Sequence, residues 1–560
     1  MSSVINKGIA ALIFLIFFLF TNSISAENKS STPVPDAELA LLIKQRITQG
    51  NATSKKPIWG EPLYSTFLVA SFYKGRDYQP AWSHDGQLMQ VDMLIKAVDE
   101  AYGDGLSPAY YHLIRIRSLV DNTGRELSAG PNRLADLDIL LTDAFITLGC
   151  HLSAGCVNPV TVASEWFAKG GRVDVASLLE QALKNKQISK ALMGLRPEKG
   201  IYTRLRSALA QYRELASKGE WPLLSVGPPM KKGFKSDRIV ELRKRLAASG
   251  DLRADETTGE DIFDDRLEQS VIIFQKRHGL KDDGIVGRDT LNALNVPLKQ
   301  RIRQMELNME RLRWILGNLE ERFIIVNIAD FQLNVIEKDK PVLSMKVVVG
   351  KPYLSTPIFT AKMTYVVINP SWNIPKSIAR KEILAKIAKN PHYLADQNID
   401  VVEDSGPRER RIDPQTIDWS RMTGNVSQYR FRQKPGPQNA LGQLKFMLPN
   451  GFDVYLHDTP AKRLFSENVR TFSHGCIRIE KPIELAEYML RDDPRWTRDT
   501  LIAAMDKGTE QFVQIPHPLN VHLLYLTAWV DEGDALQFRN DIYGRDKRLD
   551  EALRQKPYIQ

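Results

Sequence analysis

Val454-Tyr455-Leu456-His457-Asp458-Thr459-Pro460 and, after a basic loop, Ser473-His474-Gly475-Cys476-Ile477-Arg478 decide how this chain is read. Val454 to Leu456 has strand character, and His457 closes that strand. Cys476 opens the next element 19 residues on, far enough for the chain to return and bring the two side chains together. A thiol attacks as its thiolate and therefore needs a proton acceptor, and imidazole, with an ordinary pKa of about 6.5, is the natural one. The pattern points to covalent catalysis with Cys476 as nucleophile and His457 as base. Gly475 has no Cβ, so its backbone can approach a bound carbonyl, and the N–H groups of Gly475 and Cys476 are expected to hold an oxyanion. Arg478 either supports the loop or meets a substrate carboxylate through both its nitrogens.

The surroundings of this stretch read as β structure. Phe323 to Ile328 is a continuous apolar run, Phe331, Leu333 and Val335 alternate, and Val347-Val348-Val349 and Tyr365 to Ile368 add further runs. Strand character stops between about 376 and 432. Ile378 to Ala388 is helical in pattern, and the residues beyond it are polar and irregular, as expected of a cap over a cleft. Strand character returns at Leu444 to Met447. The catalytic unit is therefore expected over 322–505, and a C-terminal extension over 506–560 that is helical apart from Phe512 to Pro516.

Upstream, helical periodicity takes over. Leu298, Ile302, Met305, Met309 and Leu312 mark one helix, whose methionine stripe reads as core. Residues 235–296 form a small unit: Ile239, Leu242 and Leu246 give one stripe, Leu267, Val271 and Phe274 a second, and Gly287 opens a third helix. Residues 37–225 are expected to be a helical scaffold without a catalytic constellation, bounded by Pro222 and Gly227-Pro228-Pro229.

Residues 1–26 have the layout of a secretory signal peptide: Lys7, an apolar run from Gly8 to Phe20, then a polar stretch ending at Ala26. An uncleaved anchor is the alternative. Three cysteines are too few for a disulfide scaffold. On a continuous helix Cys150 and Cys156 would lie about 9 Å apart, too far to bridge. A helix end at Gly155 would permit a bond, so pairing and two buried thiols both stay open. The net charge of +9 suits anionic surroundings, and no nucleic-acid motif is present.

His457, sixteen residues before Ser473-His474-Gly475-Cys476, matches the signature of L,D-transpeptidases with a YkuD-like catalytic domain. Asn369-Pro370-Ser371-Trp372-Asn373-Ile374-Pro375 and Pro435-Gly436-Pro437-Gln438-Asn439-Ala440-Leu441-Gly442, with Lys445-Phe446 just beyond, carry the likeness further. Residues 279–294, with D-G-x-x-G-x-x-T-x-x-A-L, resemble a three-helix peptidoglycan-binding module. The resemblance implies a multidomain α+β chain: helical scaffold, binding module and β-rich catalytic domain with an inserted cap. It implies that Cys476 attacks the diaminopimelate–D-alanine bond of a tetrapeptide stem and passes the acyl group to a second stem's amine, giving a 3→3 cross-link. It also implies that Ser473 and His474 shape the loop, that Tyr455 and Trp372 line the cleft, and that carbapenems acylate the thiol. Peptidoglycan stems are the expected partners, with other cell-wall synthesis enzymes as further ones, the periplasm is the expected location, and neither cofactor nor metal is called for.

Other chemistries fit parts of the pattern. With water as acceptor the same acyl-enzyme makes an L,D-carboxypeptidase. Lipoprotein lysines or free D-amino acids are further acceptors. A zinc site on His457, His474 and Cys476 has suitable ligand types but no evident fourth ligand. A serine hydrolase would need a G-x-S-x-G elbow, which is absent. A non-catalytic wall-binding protein would leave the Cys/His pattern without a purpose.

Overall fold

Helical spacing of apolar residues builds the N-terminal region around one central helix, Pro131–Ala154. Proline at its start lacks only an N–H that would have no helical partner, and Gly155, at φ +88°, ends it. The helix is long and apolar enough to cross a membrane, but it is buried in the scaffold core beneath the helices Asp36–Gln49, Thr66–Gly75, Val91–Ala101 and Val175–Asn185. Its two buried carboxylates are satisfied from within. Asp138 accepts from Tyr73 Oη (2.6 Å) and the N–H groups of Ala81 and Trp82, and Asp143 from Ser65 N–H (2.7 Å). A ribbon of two short strands, β1 (Ser83–His84) and β2 (Gln87–Leu88), decorates this region. Cys150 and Cys156 are both free thiols. The computed structural model describes residues 34–49, 58, 60–123, 130–162, 173–198, 200–253, 261–316, 319–403, 410–419, 422 and 428–555, so the expected signal segment 1–26 lies outside the described residues.

The small unit contains helices Asp237–Ala248, Asp265–Arg277 and Arg288–Leu294, closed over a core that includes Leu242, Phe263, Val271 and Phe274. Helix Leu298–Leu316 comes next, with Met305 and Met309 fully buried as core. Its polar residues fasten the domains together. Glu310 accepts from the N–H groups of Cys156 (2.6 Å) and Val157 (3.0 Å), Arg313 donates to the carbonyl of Asp104, and Arg311 pairs with Asp546.

The region from residue 322 onward is built on a nine-stranded sheet in the order β13-β5-β14-β12-β11-β6-β15-β3-β4. Its strands are β3 (Arg322–Asn327), β4 (Gln332–Glu337), β5 (Lys340–Gly350), β6 (Phe359–Ile368), β11 (Leu444–Met447), β12 (Leu456–His457), β13 (Thr471–Ser473), β14 (Ile477–Ile479) and β15 (Gln511–Leu524). Because β4 also pairs with β5, the sheet closes on itself around one apolar core. Alternation sends Phe446, Leu456, Ile477 and Ile479 into that core and turns Lys445, His457 and Arg478 to the other face.

Two expectations are corrected. The segment after Ala388 is not irregular: β8 (Ile399–Glu403), β9 (Arg410–Ile412) and β10 (Tyr429–Gln433) join the earlier β7 (Trp372–Ile374) in a second sheet, β7-β10-β8-β9. The helical segment 376–389 packs on it, and Ile383, Ile387, Val401 and Phe431 give the cap its own core. Short strands separated by charged turns are hard to tell from loop by pattern alone.

The stretch 506–560 is not a helical extension. It supplies β15, which lies between β6 and β3 in the middle of the main sheet, then the hairpin β16 (Ala528–Val530)–β17 (Leu536–Phe538), and a single helix, Arg545–Leu553. The alternation Val513, Ile515, Leu519, Val521, Leu523 is broken by Pro516 and Pro518, where the register with β6 shifts. That break disguised a long strand. A chain ended after Asp506 is expected to expose the β3 and β6 edges and fail to form the catalytic domain, giving aggregated or loosely packed protein by size-exclusion chromatography and near-UV circular dichroism. Cooperative unfolding of such a truncate would refute the central role of β15.

Candidate active site

Strand register brings the predicted residues together in two rows on one face. Lys445 pairs with His457, and His457 with Arg478. One pleat along, the antiparallel and parallel registers continue to Met447, Tyr455 and Cys476, and the Ile477 N–H donates to the Tyr455 carbonyl at 3.1 Å. Cys476 therefore sits opposite Tyr455 and diagonal to His457. The Tyr455 hydroxyl and N–H lie close enough to the thiol to favour its ionised form, and Sγ lies 3.7 Å from the Asp453 carbonyl. No hydrogen bond joins Cys476 to His457 in this structure, although both face the same cleft. Catalytic hydrogen bonds of free enzymes are often long in this way.

His457 is buried, with 4% of its surface exposed. Its Nδ1 hydrogen-bonds the Asp458 carbonyl at 2.5 Å. That bond makes Nδ1 the protonated nitrogen and leaves Nε2 as the acceptor. Burial, aided by the charges of Arg478 and Lys445 and opposed by the carbonyls of Asp458 and Leu441, pushes the imidazole down to about 3. It is therefore neutral at working pH. Burial likewise pushes the Cys476 thiol above its ordinary range, outweighing the Tyr455 hydrogen bonds and the charges of Lys445 and Arg478. The resting pair is thus thiol and neutral imidazole, not an ion pair.

The loop around Cys476 is fastened at each residue. Ser473 Oγ accepts from the Gly475 N–H (3.1 Å) and donates to the Cys476 carbonyl (2.5 Å). Thr356 Oγ1 donates to the Gly475 carbonyl (2.8 Å) and accepts from the Gly350 N–H. The glycine requirement is conformational: Gly475 has φ +119°, while a Cβ there would meet nothing closer than 3.9 Å. The expected oxyanion role of the Gly475 N–H is corrected here, because that N–H is already given to Ser473. The Cys476 N–H has no acceptor among the described residues and stays available.

His474 does more than shape the loop. Its Nε2 meets Glu382 Oε1 at 2.6 Å, tying the catalytic loop to the cap. Glu382 lies in a π-helical turn, Ala379–Ile383, a widening often found at functional positions. Three contributors escaped sequence reasoning. Lys445, whose Nζ lies 4.0 Å from the centre of the Tyr455 ring, stands out in the sequence only as part of a motif, and its place on the site face was the available signal. Asp458 acts through its carbonyl, which residue type does not reveal. Thr356 is more than a hundred residues away in sequence.

This geometry sets two expected outcomes. Iodoacetamide should label Cys476 at a rate that is still climbing above the ordinary thiol range of about pH 8.5, with no reactive plateau near pH 6. Peptide mapping by mass spectrometry distinguishes it from Cys150, which burial pushes up to about 11. A fast plateau at pH 6 would instead reveal a thiolate–imidazolium pair. Glu382→Ala should speed amide hydrogen exchange in 376–389 by roughly fivefold, the worth of one hydrogen bond of about 1 kcal/mol. Unchanged exchange there would show that the strap carries no load.

Three family models match the chain: a "Scaffold domain" over 68–209, a "Putative peptidoglycan binding domain" over 235–294 and an "L,D-transpeptidase catalytic domain" (YkuD) over 321–506. A Haemophilus influenzae protein titled "Putative L,D-transpeptidase" is 34% identical over 251 residues, spanning 44% of this chain and 49% of that protein. The chain thus spans about half the length of that relative. "N-acetylmuramoyl-L-alanine amidase CwlM" of Mycobacterium tuberculosis is 40% identical over 75 residues, 12% of this chain and 18% of that one. Among solved structures, an "L,D-transpeptidase from Mycobacterium smegmatis" aligns at 14% identity and a TM-score of 0.17, covering 36% of this chain and 58% of that one, a likeness too slight to argue from. Residues 321–506, which hold both Cys476 and His457, are an L,D-transpeptidase catalytic domain of the YkuD family, joined in this chain to a scaffold domain and a peptidoglycan-binding domain.

Proposed function

We propose that the protein is a cysteine L,D-transpeptidase that forms 3→3 cross-links between peptidoglycan stems, and that it works after export from the cytoplasm. The observation that supports this best is the shared sheet face, where a thiol opposite Tyr455 lies diagonal to a buried, neutral imidazole whose Nδ1 is held by the Asp458 carbonyl. In the first half-reaction Sγ bonds to the carbonyl carbon of diaminopimelate in a tetrapeptide stem. His457 Nε2 takes the thiol proton and returns it to the leaving amine, so D-alanine departs and a thioester remains. The Cys476 N–H, which has no acceptor among the described residues, would hold the oxyanion. In the second half-reaction the side-chain amine of another stem attacks the thioester, gives its proton to Nε2, and the thiol is regenerated. Tyr455, opposite the thiol, and Trp372, near the Tyr455 hydroxyl, would flank the scissile bond. The apolar run from Gly8 to Phe20 supports export, and the binding module supports a wall substrate.

Intact-protein mass spectrometry with tetrapeptide muropeptides and a carbapenem tests this. The native chain should gain an acyl or carbapenem adduct, release D-alanine and yield a 3→3 dimer. Cys476→Ala should lose all of these while keeping its fold, and His457→Ala should lose nearly as much, at least about a hundredfold, because base and nucleophile act as a unit. Release without a dimer would assign an L,D-carboxypeptidase. Activity surviving in Cys476→Ala would end the mechanism.

A further inference from the structure

Beside the row that carries Cys476, a cavity of about 300 Å³ opens on the same face of the sheet. Tyr365, Met447 and Phe512 give it apolar walls, and Lys445, Arg432 and Glu510 bring charge to it. Tyr365 pairs with Met447. Met447 is in turn separated from Cys476 by two strand spacings, roughly 10 Å.

The charges in this cavity are unequally served. The Glu510 carboxylate accepts from the Ser371 N–H at 2.6 Å, and Arg432 donates to Asn373 Oδ1 at 3.0 Å. The Lys445 ammonium rests against the ring of Tyr455. Neither Lys445 nor Glu510 makes an ion pair among the described residues, although both line one cavity. The half-buried ammonium and the exposed carboxylate thus face one cavity without closing on each other. A ligand carrying one charge would serve one and leave the other. A zwitterionic head group serves both, and the apolar walls suit an aliphatic tether.

Length selects where such a head group would come from. The carboxylate at the far end of a side chain with three methylenes lies roughly 8 Å from the backbone carbonyl carbon of its own residue, at ordinary C–C distances. That reach nearly matches the distance from the thiol to the cavity. An acceptor would have to present its amine at the thiol itself, two strands away.

We propose that Lys445 and Glu510 are specificity-determining residues that read the far end of the donor residue's side chain, Lys445 its free carboxylate and Glu510 its free ammonium. This rests on the L,D-transpeptidase reading above and deepens it. Burial depresses the Lys445 ammonium below its ordinary range, although the charges of Cys476, Glu510 and Asp453 act the other way, and a carboxylate brought beside it would favour its charged form. A stem whose distal carboxylate is amidated, or one that carries lysine instead of diaminopimelate, leaves Lys445 unserved. A site built for a polar group rejects the analogue that lacks it.

The test is D-alanine release by the full chain from three tetrapeptide donors, which differ only in a free distal carboxylate, an amidated one, or lysine. The free-carboxylate donor should be preferred by about tenfold or more in kcat/KM, mainly through KM. Lys445→Met should shrink the gap between free and amidated donors to within about twofold, whatever it does to the shared rate. Glu510→Gln should weaken all three donors and keep the carboxylate preference. Equal use of the three donors by the native chain would overturn the proposal, as would a preference unchanged in both variants. If the folded native chain releases D-alanine from none of them, the transpeptidase reading fails and takes this inference with it.

Discussion

The parallel register of β12 on β14, Leu456 against Ile477 and His457 against Arg478, is the constraint on which the site depends. The strands are short, and each residue has one face only. Leu456 and Ile477 are driven into the apolar core, so His457 and Arg478 must point the other way, and Cys476 with Tyr455 lies one pleat along. A slip of one residue would bury the thiol among aliphatic side chains and turn Ile477 into the cleft, so the core penalty enforces the catalytic geometry. Precision at the site is thus a by-product of hydrophobic burial on the far side of the sheet.

Such short strands hold only because the rest of the chain braces them. Behind the Cys476 loop, Tyr543 Oη donates to the Gly350 carbonyl (2.5 Å) and Arg545 donates to the Thr356 carbonyl (2.9 Å), while Thr356 itself bonds Gly475. The C-terminal segment therefore acts on the catalytic loop through one intermediate residue. On the His457 side, Asp458 Oδ2 accepts from the Gln443 N–H, and Gly442, at φ +62°, leaves room for that carboxylate where a Cβ would collide with it. Asn439 donates to the carbonyls of Pro370 and Lys434, which ties the base of the cap to the same turn. The binding module is fixed as well. Arg277 donates to the Leu536 carbonyl, Arg539 donates back to the Arg277 carbonyl, and His278 stacks on Phe538 at 5.4 Å. Scaffold, module and catalytic domain meet along helix Leu298–Leu316, so the module is held at a set angle to the cleft.

Legibility in the sequence tracks the range of the interaction involved. The module was legible because Asp283-Gly284 and Gly287 act on their neighbours, and its three stripes lie within sixty residues. The His457 and Cys476 pattern was legible because chemistry restricts residue type. Tyr455 and Trp372 were expected to line the cleft; the β12–β14 register sets Tyr455 opposite Cys476, and Trp372 lies near the Tyr455 hydroxyl. The strand β15 was missed because Pro516 and Pro518 interrupt its alternation, and its partners, 150 to 200 residues upstream, exert no local influence. The cap's sheet was missed for a related reason: its strands are three to five residues long, too short for a period to show. The role assigned to the Gly475 N–H failed on a hydrogen bond to Ser473 Oγ, a choice between donors that residue types leave undecided.

The electrostatics of the pair bear on how the cysteine can be kept safe and still react. Burial raises the thiol and lowers the imidazole, so each is displaced toward its neutral form and proton transfer between them is unfavourable at rest. A thiol held this way resists oxidation and stray alkylation, because the thiolate is the reactive species. The groups that would stabilise a thiolate are nonetheless in place: the Tyr455 hydroxyl and N–H, and the charges of Lys445 and Arg478. Those of Lys445 and Arg478 also disfavour imidazolium, so negative charge that develops on the substrate oxygen, near the Cys476 N–H, is what would offset a proton on His457. If Cys476 acts as proposed, the thiolate would form together with the tetrahedral intermediate rather than before it. The burial that raises the resting pKa then costs little during turnover, since the charge it penalises does not dwell on sulfur.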